Sequence, residues 1–206
     1  MNKLWTFGDS WVHGTKKIAR NETFTYHIAN SLKLENYNFG KNGASNSSIK
    51  DIFDTAKYNF SKNDLILIVW TTPHRDESFE MYNKYFKFKS IIPLFKFPTL
   101  IQEVVDYLDK EKFNYKMTQC FNPIFGYDYK LMKKVDGFNF IEWGKPNNTL
   151  IDIISYNWLK ENQDNIFMND KIEFSMGIED NFVQNCKHPS PKGHKLIAKT
   201  LLPYLE

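Results

Sequence analysis

Cysteine is nearly missing: Cys120 and Cys186 are the only two in 206 residues. One pair cannot supply the disulfide framework of a small secreted fold, so stability must come from a packed core. Both thiols sit beside predicted strand ends and are expected as small buried side chains. Long apolar runs are missing too, since no stretch approaches the roughly 18 residues of a membrane-spanning helix. Asp9 interrupts the N-terminus before any signal-peptide core can form, and no cleavage site follows. A cytoplasmic or intracellular protein with no membrane partner is the expectation. Leaderless export or incorporation into a larger particle would leave the same sequence. Charge of one sign is scarce as well: 27 basic against 24 acidic residues give a formal +3. That balance demands no nucleic-acid partner. The lysines of residues 130–134 are interrupted by Leu131 and Met132 and read as a solvated helix end. His188 and His194 have no dependable carboxylate or thiolate shell around them, so no metal and no cofactor is expected.

What the chain has in quantity is aromatic side chains, 17% of residues within a hydrophobic fraction of 42%. A disordered chain does not carry that load. The length suits one domain with a sizeable core. The segment 65–70, Leu-Ile-Leu-Ile-Val-Trp, is apolar at every position, as a central parallel strand covered on both faces must be. Weaker strands are predicted over 3–7, 36–39 and 115–121. Helical spacing marks 23–34, the segment holding Ile49, Ile52, Phe53 and Ala56, then 99–112, 150–159 and 191–202. Residues 172–178 are ambiguous. Strands alternating with helices predict an α/β fold with a mostly parallel sheet, and no internal repeat competes with it. Aromatic-rich insertions are placed at about 74–98 and 122–147 within this single domain.

Three stretches carry chemistry. The first strand runs into Gly8-Asp9-Ser10, which places a hydroxyl at the C-terminal edge of the sheet, where ligand sites of open α/β folds gather. Gly40 to Asn46 is a glycine-rich, cap-forming loop that feeds a helix N-terminus. Near the other end, Asn185-Cys186-Lys187-His188 precedes a Pro-Ser-Pro turn and the last helix. Serine becomes a useful nucleophile only when a base within hydrogen-bond reach takes its proton.

With Gly8-Asp9-Ser10, the Gly43 loop, the Thr71-Thr72 loop after the strong strand and the late His188, the chain resembles the SGNH/GDSL hydrolase superfamily. The resemblance spans nearly the whole chain and is most specific at its two ends. It implies a three-layer α/β/α sandwich and hydrolysis of a short acyl, acetyl-type ester of a small molecule or glycan through an acyl-enzyme. It assigns Ser10 as nucleophile and His188 as general base, in preference to His194. Oxyanion donors are the backbone N–H groups of Ser10 and Gly43 and the side chain at position 72.

Two positions depart from the family pattern. Asn185 stands three residues before His188, where the family has an aspartate. Its carbonyl can orient the imidazole but cannot stabilise the imidazolium by charge, a change that costs serine hydrolases about 10⁴ in turnover. Asp180 is the alternative carboxylate. Thr72 stands where the family has an asparagine, with His74 and Arg75 nearby as further donors, although Arg75 can equally pair with Asp76 or Glu77. Asp9 is expected to tie down the serine turn. These departures keep a second class open, a catalytically impaired domain of this fold that binds carbohydrate or a protein partner. The oligomeric state is not readable from the sequence.

Overall fold

A computed structural model describes residues 2–15, 17–71, 92–120 (backbone alone over 92–96), 141, 150, 153–154, 181–183 and 188–206. Among the described residues four strands, β1 (Lys3–Gly8), β2 (Glu35–Gly40), β3 (Leu65–Trp70) and β4 (Asn114–Gln119), form one sheet in the order β2-β1-β3-β4. Every pairing is parallel, with Gly8 opposite Gly40, Phe7 opposite Ile68 and Trp70 opposite Gln119. Among the described residues the α-helices of four or more residues include α1 (Ser10–His13), α2 (Phe24–Leu32), α3 (Asn46–Ala56), α4 (Ile92–Lys110) and α5 (Pro191–Leu201).

β3 is buried along its whole length, as its sequence requires. Its side chains alternate between two cores with the period of a strand. Leu65, Leu67 and Val69 pack with Trp11, Phe24 and Ile28 of α1 and α2 and with Ile197 and Leu201 of α5. Ile66, Ile68 and Trp70 face the opposite way, against Ile49 and Phe53 of α3 and Ile101, Val104 and Leu108 of α4. The expected three-layer α/β/α arrangement is therefore present. Each of these fully buried side chains contributes about 1.5–3 kcal/mol relative to exposure.

One boundary differs from expectation. α4 begins at Ile92, not after Pro98, and continues through that proline. Proline removes one intrahelical bond and usually ends a helix. Here Phe97, 2% exposed, sets its ring edge-on to Trp70 with centroids 5.9 Å apart, and this packing favours continuing the helix. The rest of the segment 74–91, the segment 122–140, the ambiguous 172–178 and most of the helix expected over 150–159 lie outside the described residues. No helix among the described residues is long and apolar enough to cross a membrane.

The order β2-β1-β3-β4 means that the chain moves outward from β1 in one direction, returns, and moves outward in the other. The C-terminal ends of β1 and β3 therefore flank the topological switch point, the position of ligand crevices in open parallel sheets. At the opposite edge, the buried Asp64 carboxylate accepts Trp5 Nε1–H at 2.8 Å and the backbone N–H groups of Lys3 and Ser61 at 3.0 and 2.9 Å. That edge is thus closed by its own chain.

Candidate active site

Ser10 opens α1 directly beyond β1, at the switch point, and is 7% exposed. The turn beneath it is very tight. A Cβ on Gly8 would lie 2.4 Å from Val12 Cγ2, and one on Gly40 would lie 2.3 Å from the backbone nitrogen of His13. Glycine at both positions lets the ends of β1 and β2 close on α1. His13 adds a strut: its Nδ1 donates to the Gly40 carbonyl at 2.9 Å, an assignment that follows because a carbonyl only accepts.

Asp9 is fully buried and occupied on both oxygens. Oδ1 accepts the Trp11 N–H at 2.9 Å, capping α1, and also the Cys120 thiol at 3.3 Å. Oδ2 accepts the Thr71 hydroxyl at 2.9 Å. The carboxylate thus joins the ends of β1, β3 and β4 under the serine. Thr71 is held again by Asn46, whose Oδ1 accepts its N–H at 2.9 Å and whose Nδ2 donates to its carbonyl at 3.1 Å. Neither Asn46 nor Thr71 is a site candidate on sequence grounds. An asparagine in a Gly-Ala-Ser-Asn loop reads as a helix cap, and only the tertiary contact across 25 residues reveals another use.

Gly43 lies in the turn between β2 and α3 with φ +71°, and nothing would stand within 4 Å of a Cβ there. The turn is anchored at its start by Lys41 N–H donating to the Gly8 carbonyl at 3.0 Å, next to the serine elbow. Ser45 caps α3 by accepting the Ser48 N–H at 3.2 Å.

His188 is half-buried, next to Pro189, which forms an antiparallel bridge with Phe182. Val183 N–H donates to the His188 carbonyl at 2.9 Å, and Ser190 N–H donates to the Asn181 carbonyl at 2.7 Å. The bridge reaches α1 through Phe182, whose ring meets Trp11, the neighbour of Ser10, edge-on at 6.4 Å. Ser190 then caps α5, accepting the Gly193 N–H at 3.1 Å. His194 has a different setting. It is 1% exposed, stacks on Phe24, and accepts the Phe24 N–H on Nδ1 at 3.2 Å. Burial, with lesser contributions from His27 and His188, lowers its pKa to about 3. That ring is a neutral internal acceptor. Thr72, His74, Arg75, Asp180 and Asn185 lie outside the described residues.

No protein-family model matches the sequence, and no curated protein matches it either. Solved structures do match in fold. A G-D-S-L-family protein from Desulfitobacterium hafniense is similar at TM-score 0.55 and 15% identity, over 100% of both chains. The acetyl xylan esterase AlAXEase is similar at TM-score 0.56 and 15% identity, over 99% of this chain and 100% of its own. The psychrotrophic esterase EstA from Pseudoalteromonas sp. is similar at TM-score 0.53 and 12% identity, over 99% of this chain and 96% of its own. The chain has the fold of the SGNH/GDSL hydrolases.

Proposed function

We propose that this protein is a serine-dependent ester hydrolase of the SGNH type, acting on a short acyl ester, of acetyl size, carried by a small molecule or glycan. The observation that carries the reading is the position of Ser10. It is a serine on a glycine-tightened turn at the switch point of a parallel sheet, and Phe182, bridged to the neighbour of His188, packs on the next residue of its helix. Similarity in fold to an acetyl xylan esterase supports the substrate class.

In the proposed reaction Ser10 Oγ attacks the acyl carbon while its proton passes to His188. The carbonyl oxygen becomes an oxyanion, bound by the N–H groups of Ser10 and Gly43 and by the Thr72 hydroxyl. Collapse breaks the bond to the alcohol, which leaves with the proton from His188. Water, deprotonated by the same imidazole, then releases the acid and restores Ser10. Asn185 orients His188 without charge, with Asp180 as the alternative carboxylate. His74 and Arg75 are further candidates for holding the substrate.

The test is labelling with a fluorophosphonate probe together with turnover of p-nitrophenyl acetate. Both are expected in the natural chain and absent in Ser10→Ala. An alanine variant that keeps most of its activity removes Ser10 as nucleophile. The replacement of the family's aspartate by Asn185 and of its asparagine by Thr72 favours one second reading, a domain that binds a carbohydrate or protein partner without turning it over. Under that reading the natural chain is neither labelled nor active, yet still binds the unesterified glycan or the partner protein.

A further inference from the structure

We propose that Thr71 is a positioning residue that ties the Ser10 turn to the Gly43 turn, with Asn46 holding its backbone and Asp9 its hydroxyl. The kinetic part of this inference rests on the esterase reading above; the tie itself does not.

Thr71 is fully buried, directly beyond β3, and its polar groups go to side chains from two other segments. Asn46, also fully buried, accepts its N–H at 2.9 Å and donates to its carbonyl at 3.1 Å. In a sheet those two groups would be bonded by a neighbouring strand; here one amide side chain takes both where β3 has ended. Helix capping does not account for Asn46, because Ser45 already caps α3. The Thr71 hydroxyl donates to Asp9 Oδ2 at 2.9 Å.

The two ends of this relay lie beside the two groups that the reaction must hold together. Asn46 opens α3, three residues beyond Gly43, whose N–H is assigned to the oxyanion. Asp9 immediately precedes Ser10, and its Oδ1 caps the serine's own helix by accepting the Trp11 N–H at 2.9 Å. The Cys120 thiol, beyond the end of β4, donates to the same oxygen at 3.3 Å. The two turns are also joined directly, by Lys41 N–H donating to the Gly8 carbonyl at 3.0 Å. A single hydrogen bond leaves two turns free to pivot about it; the relay through Thr71 is a second attachment and removes the pivot. Donors for an oxyanion act by being held in place before charge develops, and a displacement of about 1 Å can cost on the order of 100-fold in rate.

The experiment compares the natural chain with Thr71→Val, Thr71→Ser, Asn46→Ser and the double variant of Thr71→Val with Asn46→Ser. Valine keeps the shape and both backbone bonds but has no hydroxyl, serine at 71 keeps the hydroxyl, and serine at 46 is too short to span to Thr71. Kinetics on p-nitrophenyl acetate are combined with the rate of fluorophosphonate labelling and residue-resolved amide hydrogen exchange. Thr71→Val should lower kcat by about 10- to 100-fold with KM within about twofold, and labelling should slow in parallel. Thr71→Ser should stay within about threefold of the natural kcat, although it loses the methyl group that valine retains. The double variant should be no slower than the slower single variant, because both changes break one relay. Trp11 N–H should exchange at least about tenfold faster in Thr71→Val while Ile66 and Ile68 keep their protection. Unaltered kcat in Thr71→Val, equal losses in the valine and serine variants, or losses that multiply in the double variant would overturn the positioning role. Unaltered exchange at Trp11 would overturn the tie whatever the activity. A natural chain that is neither labelled nor active sinks the esterase reading and the kinetic part together, and exchange at Trp11 then decides the tie alone. If Thr71→Val does not fold, Asn46→Ser is read in its place: a lower kcat at unchanged KM with faster exchange at Trp11 supports the tie, and natural values for both overturn it.

Discussion

The backbone N–H of Phe24 donates to Nδ1 of His194 at 3.2 Å, across 170 residues of chain. It joins the start of α2 to the first turns of α5, and it requires a bare Nδ1. Burial first, then the neighbouring His27 and His188, lowers the His194 pKa from 6.5 to about 3. A lowered histidine pKa means that the unfolded chain binds a proton the folded chain refuses. The stabilisation is complete above the unfolded value near 6.5 and is lost as pH falls from there towards 3. Its full extent is on the order of 5 kcal/mol. The urea midpoint should therefore fall markedly between pH 7.5 and pH 4.5. His194→Asn keeps an acceptor near Nδ1 without a titratable group, so the variant should lose at least half of that pH dependence. Parallel urea curves for the two proteins would show that His194 does not govern it.

Gly40 and Gly43 lie three residues apart and should respond differently to alanine. A Cβ at Gly40 meets backbone atoms of His13 at 2.3 and 2.7 Å, so the end of β2 and α1 must separate. Overpacking of this kind costs about 1–3 kcal/mol or more. Gly43 has open space, and only its φ of +71° opposes a side chain, a cost of about 1–2 kcal/mol. Thermal denaturation should rank Gly40→Ala below Gly43→Ala. Gly43→Ala should also keep most of its kcat, because alanine retains the backbone N–H assigned to the oxyanion.

The sheet was readable because its signals are local. β3 is apolar at all six positions, and α2, α3 and α5 place their buried residues at helical spacing, so each element announces its own covering. The start of α4 was not readable. Pro98 is a local stop signal, and it is outweighed by Phe97 packing on Trp70, a contact between distant segments. The polar wiring beneath Ser10 failed for the same reason. Asp9 meets Thr71 across 62 residues and Cys120 across 111, and short-range patterns carry no trace of either bond. Cys120 was expected as a buried thiol, which it is, but its donation to Asp9 follows only from the strand order that sets β4 beside β3.

Thr72 should be a weaker oxyanion donor than the asparagine of the family pattern, because its hydroxyl sits on a shorter side chain. Losing one such donor costs up to about 2.7–4 kcal/mol of transition-state stabilisation. Thr72→Val keeps the shape and removes the O–H, so kcat should fall by about 10- to 100-fold with the melting temperature little changed. Thr72→Asn should raise kcat above the natural value. Rates within twofold of the natural chain for both variants would move the third donor elsewhere, with His74 and Arg75 next to be substituted.

In the proposed reaction Asn185 is the residue that orients the base. If its carbonyl orients His188, the imidazolium formed during proton transfer has no carboxylate partner there. A carboxylate within about 4–6 Å favours the charged imidazole. Asn185→Asp should therefore move the acid limb of the kcat/KM profile to higher pH and raise the plateau above it by about tenfold or more. The natural chain should keep its lower plateau further into mildly acidic conditions, down to where the loss of His194-linked stability intervenes. The measurement is a pair of pH–rate profiles on one soluble ester, each point checked for intact fold by tryptophan fluorescence. Superimposable profiles would show that residue 185 does not touch the base, and Asp180→Asn would then be expected to abolish turnover. A natural chain inactive at every pH but rescued by aspartate would instead favour the binding-domain reading of the unmodified chain.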